Sequence, residues 1–247
     1  MSAWNRLKEA YALSKASEKA TGTSWDRLRK ATEEKRLNDE ESDSMAKQRE
    51  TQDFEDRLLA QIRGKEAGPL GYDSYINYSR GAPKPEKPVS EMTIGEVLQF
   101  QRKLLNSGMP SSAVGAYQIV SGTLRDSIRY LKLGPADKFD QDTQERIARE
   151  YLLRAKRPKG YSIDDYKEGK ISKEDFAWSL STEWASLPVL DERVRKTDDG
   201  GVKISRGQSF YRGVNINKSL FEGDELDKWD TFLASGAGEP KTDSEEN

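Results

Sequence analysis

The chain has 247 residues with 41 Lys and Arg against 43 Asp and Glu, a length for one main domain with extensions and a charge balance that offers no global field for nucleic acid or an anionic membrane. It contains no cysteine and no histidine, which excludes disulfides, thiolate catalysis, Cys-ligated zinc, Ser-His triads and imidazole bases. Proton transfer then falls to Asp, Glu, Lys or Tyr, and the commonest metal ligand is missing.

Residues 1–50 are rich in charge and poor in apolar side chains and read as a helical extension. Trp4, Leu7, Tyr11 and Leu13 form one short amphipathic stripe, and Trp25 with Leu28 a second. The opening MSAWNRLKEAYALSK lacks the apolar run of a secretory signal, and no stretch approaches the roughly 18 apolar residues of a membrane span. From Phe54 the pattern changes: Phe54, Leu58 and Ile62 recur every four residues, with Leu59 beside them, and predict a core-facing helix over 52–65. Residues 67–90, rich in Gly and Pro, read as a long loop. Thr93 and Glu96 have capping-box spacing at the start of a helix that ends near Asn106. Further helices are expected over 121–132, 141–155 and 172–184, the last introduced by Ser172 and Asp175, with Trp184 in the core. An amphipathic segment through Leu226, Trp229, Phe232 and Leu233 follows, and then an acidic, disordered tail over 236–247. Strand signals are weak and centre on Val202 to Ile204. The expected fold is mainly α with one small β-hairpin, and the expected domain spans 51–235.

Glu66 stands where the strong apolar helix runs into a glycine-rich turn, IRGKEAG, a position anchored on one side and open on the other that suits a catalytic acid. A glutamate at a helix end is more commonly a solvated residue, so its surroundings matter. KEAG at 65–68, GYDSYINY at 71–78, TIGEVLQFQ at 93–101, SAVGAYQI at 112–119, FDQDTQERIAREYLL at 139–153, EWASLP at 183–188 and SFYRGVNINKS at 209–219 together resemble, in order, the phage endolysin-type lytic transglycosylases related to that of phage lambda, within the lysozyme-like superfamily.

That resemblance implies a lysozyme-like helical domain that cuts the glycan strands of peptidoglycan, without a metal or another cofactor, by means of a single catalytic glutamate, which falls on Glu66. Substrate contacts fall on Gly115, Tyr117 and Gln118, and on the loop tyrosines Tyr72, Tyr75 and Tyr78, of which the first two are the better cleft candidates. Core or loop anchoring is the competing role for each of these tyrosines and for Tyr117 and Gln118. The family's common arginine is Ala116 here. A hydrolase would need a second carboxylate about 5–9.5 Å from the first, for which Asp73 is nearest in sequence, whereas the transglycosylase route uses the substrate's own C6 hydroxyl. Three readings stand: lytic transglycosylase, lysozyme-type muramidase on the same fold, and a phage structural or adaptor protein. The expected partners are peptidoglycan strands and, through the extension, a virion or tail protein, with no nucleic acid. A product made in the host cytoplasm would act in the periplasm or cell wall after release or particle delivery.

Overall fold

The structure is a computed structural model that describes residues 3–76, 82–157, 160–198, 200–214 and 218–238, with side chains from residue 29 onward except 47, 48 and 51. The two N-terminal stripes, Tyr78 and the acidic end at 239–247 lie outside those described residues and side chains. The protein is mainly helical with one two-stranded hairpin. Its helices are α1 (Ala3–Glu66), α2 (Ile94–Asn106), α3 (Ser121–Leu131), α4 (Gln141–Arg146), α5 (Ile163–Lys167), α6 (Lys173–Glu183) and α7 (Asp224–Ala234), and a π-helical stretch, Ile147–Ala155, continues α4. Strands β1 (Arg193–Thr197) and β2 (Gly200–Ile204) pair antiparallel, Arg193 opposite Ile204. The chain divides into two compact units, Met1–Gln52 and Asp53–Asn247. In the first, every described side chain from 29 to 46 is exposed, Leu37 and Met45 included.

The second unit holds the core. The stripe on α1 is buried throughout, at Phe54, Leu58, Leu59 and Ile62, together with Val97 and Leu104 of α2, Leu124 of α3, Leu152 and Leu153 of the π-helix, Phe176 and Leu180 of α6 and Trp229 and Leu233 of α7. Aromatic pairs join the layers: Phe54 stacks on Phe232 at 5.2 Å and Tyr166 on Phe176 at 4.3 Å between ring centres.

Local chemistry sets the helix ends. Thr93 accepts the Glu96 N–H while the Glu96 carboxylate takes the Thr93 N–H, the reciprocal cap read from the sequence. Ser172 caps the Asp175 N–H, but the Asp175 carboxylate turns to Arg193 at 2.6 Å, so the reciprocal half is absent. Helix α5 has a complete Ser162–Asp165 box and buries Ile163 and Tyr166; five residues are too few to show a helical period, and the sequence reading passes over it. The stretch taken as unstructured loop carries two short 3-10 turns, Gly68–Asp73 and Val89–Glu91. No helix of the described residues is long and apolar enough to cross a membrane.

Candidate active site

Glu66 is the last residue of α1. Its position follows from the buried stripe, which clamps the helix to the core as far as Ile62 and leaves one more turn to reach the glycine-rich segment. The residue as a whole keeps intermediate exposure while its carboxyl group is enclosed by protein. Oε1 accepts hydrogen bonds from the Ser186 hydroxyl at 2.5 Å and the Ser186 N–H at 3.3 Å. No described residue donates to Oε2, and that oxygen is not among the fully enclosed polar atoms left without a partner. Burial pushes the Glu66 carboxyl above the usual range; the Ser186 bonds oppose the shift, and the negative charge of Glu183 adds to it.

Ser186 reaches Glu66 because α6 ends just before it. Trp184, which is buried, caps the helix through its N–H to Leu180 O, and its indole N–H donates to Tyr117 O at 3.1 Å. The Leu187 N–H then closes a turn on Trp184 O. Leu187 is fully buried and Pro188 follows it, so the turn is pinned on both sides of the serine. Glu183, at the start of this turn, is salt-bridged through Oε1 to Lys156 at 2.7 Å and through Oε2 to Arg157.

One turn back along α1, Arg63 organises the expected aromatics. Its guanidinium donates to the Tyr117 hydroxyl at 2.8 Å and to Glu145 at 2.7 Å, and lies 5.8 Å and 5.9 Å from the ring centres of Tyr72 and Tyr117. The Tyr72 hydroxyl donates to Glu145 at 2.5 Å. Burial and the Glu145 charge push the Tyr72 phenol up to about 12; burial pushes the Tyr117 phenol higher still. Tyr72 is half-buried, but Tyr117 is 1% exposed and leaves no ring face for a sugar, which corrects its expected substrate contact: its ring belongs to the core. Ala116 is fully buried, and the guanidinium beside Tyr117 is that of Arg63 on α1.

Tyr75 is half-buried, sits edge-on to Phe100 at 5.6 Å and forms a backbone bridge with Val114. That bridge, with the Val114–Ile119 bridge and the Gly115 N–H to Ser74 O bond, ties the loop to the 112–119 turn. Gly115 is buried at φ +76°, and a Cβ there would stand 2.4 Å from Gln144 Oε1. It is a backbone requirement. Gln118, at φ +49°, spends its amide on Ser74 Oγ and Gly115 O and anchors the same turn. Asp73 accepts the Ser90 N–H at 2.8 Å and so braces the loop; the carboxylate that acts on Glu66 is Glu183. Sequence reasoning missed Ser186 and Glu183, although both lie in EWASLP, because their partners are distant in the chain. It also missed Gln144, fully buried, which donates to Tyr72 O and Phe139 O and accepts the Ala116 N–H.

Among the described residues no group of three or more carboxylates is gathered to hold a metal ion. No protein-family profile, curated protein or solved structure matches the chain.

Proposed function

We propose that this chain cleaves the glycan strands of peptidoglycan as a lytic transglycosylase of lysozyme-like fold, with Glu66 as its single general acid and base. The observation that carries the reading is the Glu66 carboxyl: largely enclosed, held on one oxygen by neutral donors, with no described donor on the other, and pushed above the usual carboxylate range. Such a group keeps a proton to higher pH than a solvated glutamate and can give it to the glycosidic oxygen between N-acetylmuramic acid and N-acetylglucosamine. As that bond breaks, the muramic C6 hydroxyl attacks its own anomeric carbon. The Glu66 carboxylate takes the hydroxyl proton, so the leaving sugar departs with the first proton and the muramic ring closes as a 1,6-anhydro end.

A hydrolase on the same fold needs a second carboxylate with a free oxygen. Both oxygens of Glu183 are committed to cations, which favours the intramolecular nucleophile over a water activated by that carboxylate, and Asp73 spends its Oδ1 on the Ser90 N–H. The exposed surface of residues 29–46 suits a tether to a phage virion or tail protein, which would deliver the enzyme to the cell wall. Digestion of purified sacculi with mass analysis of the sugar ends tests the reading. Wild type should yield 1,6-anhydro-muramyl ends. Glu66→Gln should stay folded and lose about 10²–10⁴-fold in turnover, or more because acid and base are one residue. Reducing muramyl ends would make water the nucleophile, and no cleavage by wild type would leave the structural or adaptor role.

A further inference from the structure

Ser186, which holds Glu66, lies three residues after Glu183, and among the described residues Glu183 is paired with cations while Glu66 is not. Lys156 donates to Glu183 and to Thr123 Oγ1, at 2.9 Å, while Arg157 donates to Glu183 and, at 2.7 Å, to Ser179 O. Arg157 and Glu183 are both largely enclosed, with side chains 3% and 10% exposed. Glu66, in contrast, receives only the hydroxyl and N–H of Ser186. The other charged groups around it are turned elsewhere. Lys65, on its own helix, bonds Leu220 O and Glu225; Arg63 bonds Glu145 and Tyr117; Tyr72 bonds Glu145; Asp73 takes Ser90; Tyr211 donates to Thr182 O. Lys218 and Glu222, in the segment passing Ser186, are exposed.

We infer that Glu183 is a positioning residue for Glu66: clamped by Lys156 and Arg157, it fixes the turn that carries Ser186 onto Glu66 and holds a like charge beside an acid with neutral donors alone, so that Glu66 keeps its proton for transfer. This rests on Glu66 being the working acid. The arrangement gives the two carboxylates different partners, cations for Glu183 and neutral donors for Glu66. The direction of the Glu66 shift, in which the Glu183 charge takes part, agrees with that division.

The test reads Glu66 directly. Full-length protein is labelled with carboxyl-¹³C glutamate, the Glu66 signal is assigned by its loss in Glu66→Gln, and its titration midpoint is followed in wild type, Glu183→Gln and Lys156→Gln. Glu183→Gln should lower the midpoint by about one pH unit, since a neighbouring like charge is removed. Lys156→Gln should raise it, because Glu183 then keeps its charge with one cation fewer. Cleavage of sacculi should follow, with the alkaline limb of the pH profile moving down in the first variant and up in the second. A midpoint that does not move in folded Glu183→Gln, or one that moves the same way in both variants, overturns the inference. If Glu183→Gln does not fold, Lys156→Gln decides alone, and an unmoved or lowered midpoint overturns it. Because the titration needs no substrate, shifted midpoints without cleavage would count against the proposed function and leave the Glu183 assignment standing.

Discussion

Glu55 and Glu66 lie on one face of α1, since eleven residues is close to a whole number of helical turns, yet their surroundings differ in kind. Glu55 is 2% exposed and faces three cations: Arg154 at 2.7 Å, Lys167 at 2.5 Å and Arg149 at 3.1 Å. Burial alone would push its carboxyl up, but the bonds and charges of Arg154 and Lys167 outweigh it and hold the group below its usual range. Glu66 also has an enclosed carboxyl, but among the described residues only Ser186 donates to it, and the Glu183 charge adds to the upward shift. Burial does not decide the role of a carboxyl; its partners do. Glu55 fastens α1 to the π-helix and α5, whereas Glu66 is left as a group with a proton to give.

The contrast can be broken at either end. The largest stability effect should come from Glu55→Ala, which leaves Arg149, Arg154 and Lys167 around an empty site and should cost about 3–5 kcal/mol by chemical denaturation. The Glu66 titration midpoint should hardly move in the fraction that stays folded. An equally stable variant would mean that the cluster contributes nothing net. Gly115→Ala strikes the scaffold between the aromatics and touches neither glutamate. Its Cβ would press on Gln144, which three hydrogen bonds hold in place, and backbone strain alone should cost about 1–3 kcal/mol in the same measurement.

A smaller effect sharpens the contrast through pH. The folded-state pKa of Glu66 is raised above 4.5, so the unfolded chain releases this proton first and folding loses stability as pH rises through the folded value. Glu66→Gln should therefore melt higher than wild type at neutral pH, with the difference vanishing below about pH 4.5. Glu55 has the opposite sign: its contribution is present above 4.5 and is lost as pH falls through its lowered folded value. Melting curves from pH 3 to 8 on wild type and Glu66→Gln check this, and a difference that persists unchanged into acid would mean that Glu66 does not titrate as described.

What was legible in the sequence was what neighbouring residues decide. The four-residue stripe of Phe54, Leu58 and Ile62, the Thr93–Glu96 box, the core placement of Trp184 and the weak strand at Val202–Ile204 all depend on short spacings and are present in the fold. What was not legible depends on pairs distant in the chain. Asp175 bonds Arg193 at the start of the hairpin instead of closing its cap, and Glu66 bonds Ser186 and feels the Glu183 charge from more than a hundred positions away. Asp73 was chosen for nearness in sequence, and no spacing rule points from Glu66 to the far end of α6. Gly115 and Gln118 are expected substrate contacts, and the structure spends their polar groups on the turn itself and on Ser74 of the loop beside it.

The π-helix between Glu145 and Lys156 adds a further consequence. Residues before it serve one wall, where Glu145 and Gln144 hold Tyr72 and Ala116; residues just after it serve the other, where Lys156 and Arg157 hold Glu183. A π-helix closes its bonds one residue later than an α-helix, so it sets the angular phase between the two groups. An α-helix of the same number of residues between Glu145 and Lys156 would carry Lys156 and Arg157 out of their present phase, because each α-helical residue advances by about 100° and each residue of the wider π-helix by less. The winding of this stretch therefore acts as a reading frame: substitutions within Ile147–Ala155 can be absorbed one side chain at a time, but a change from π to α winding at constant length would displace Lys156 and Arg157 together.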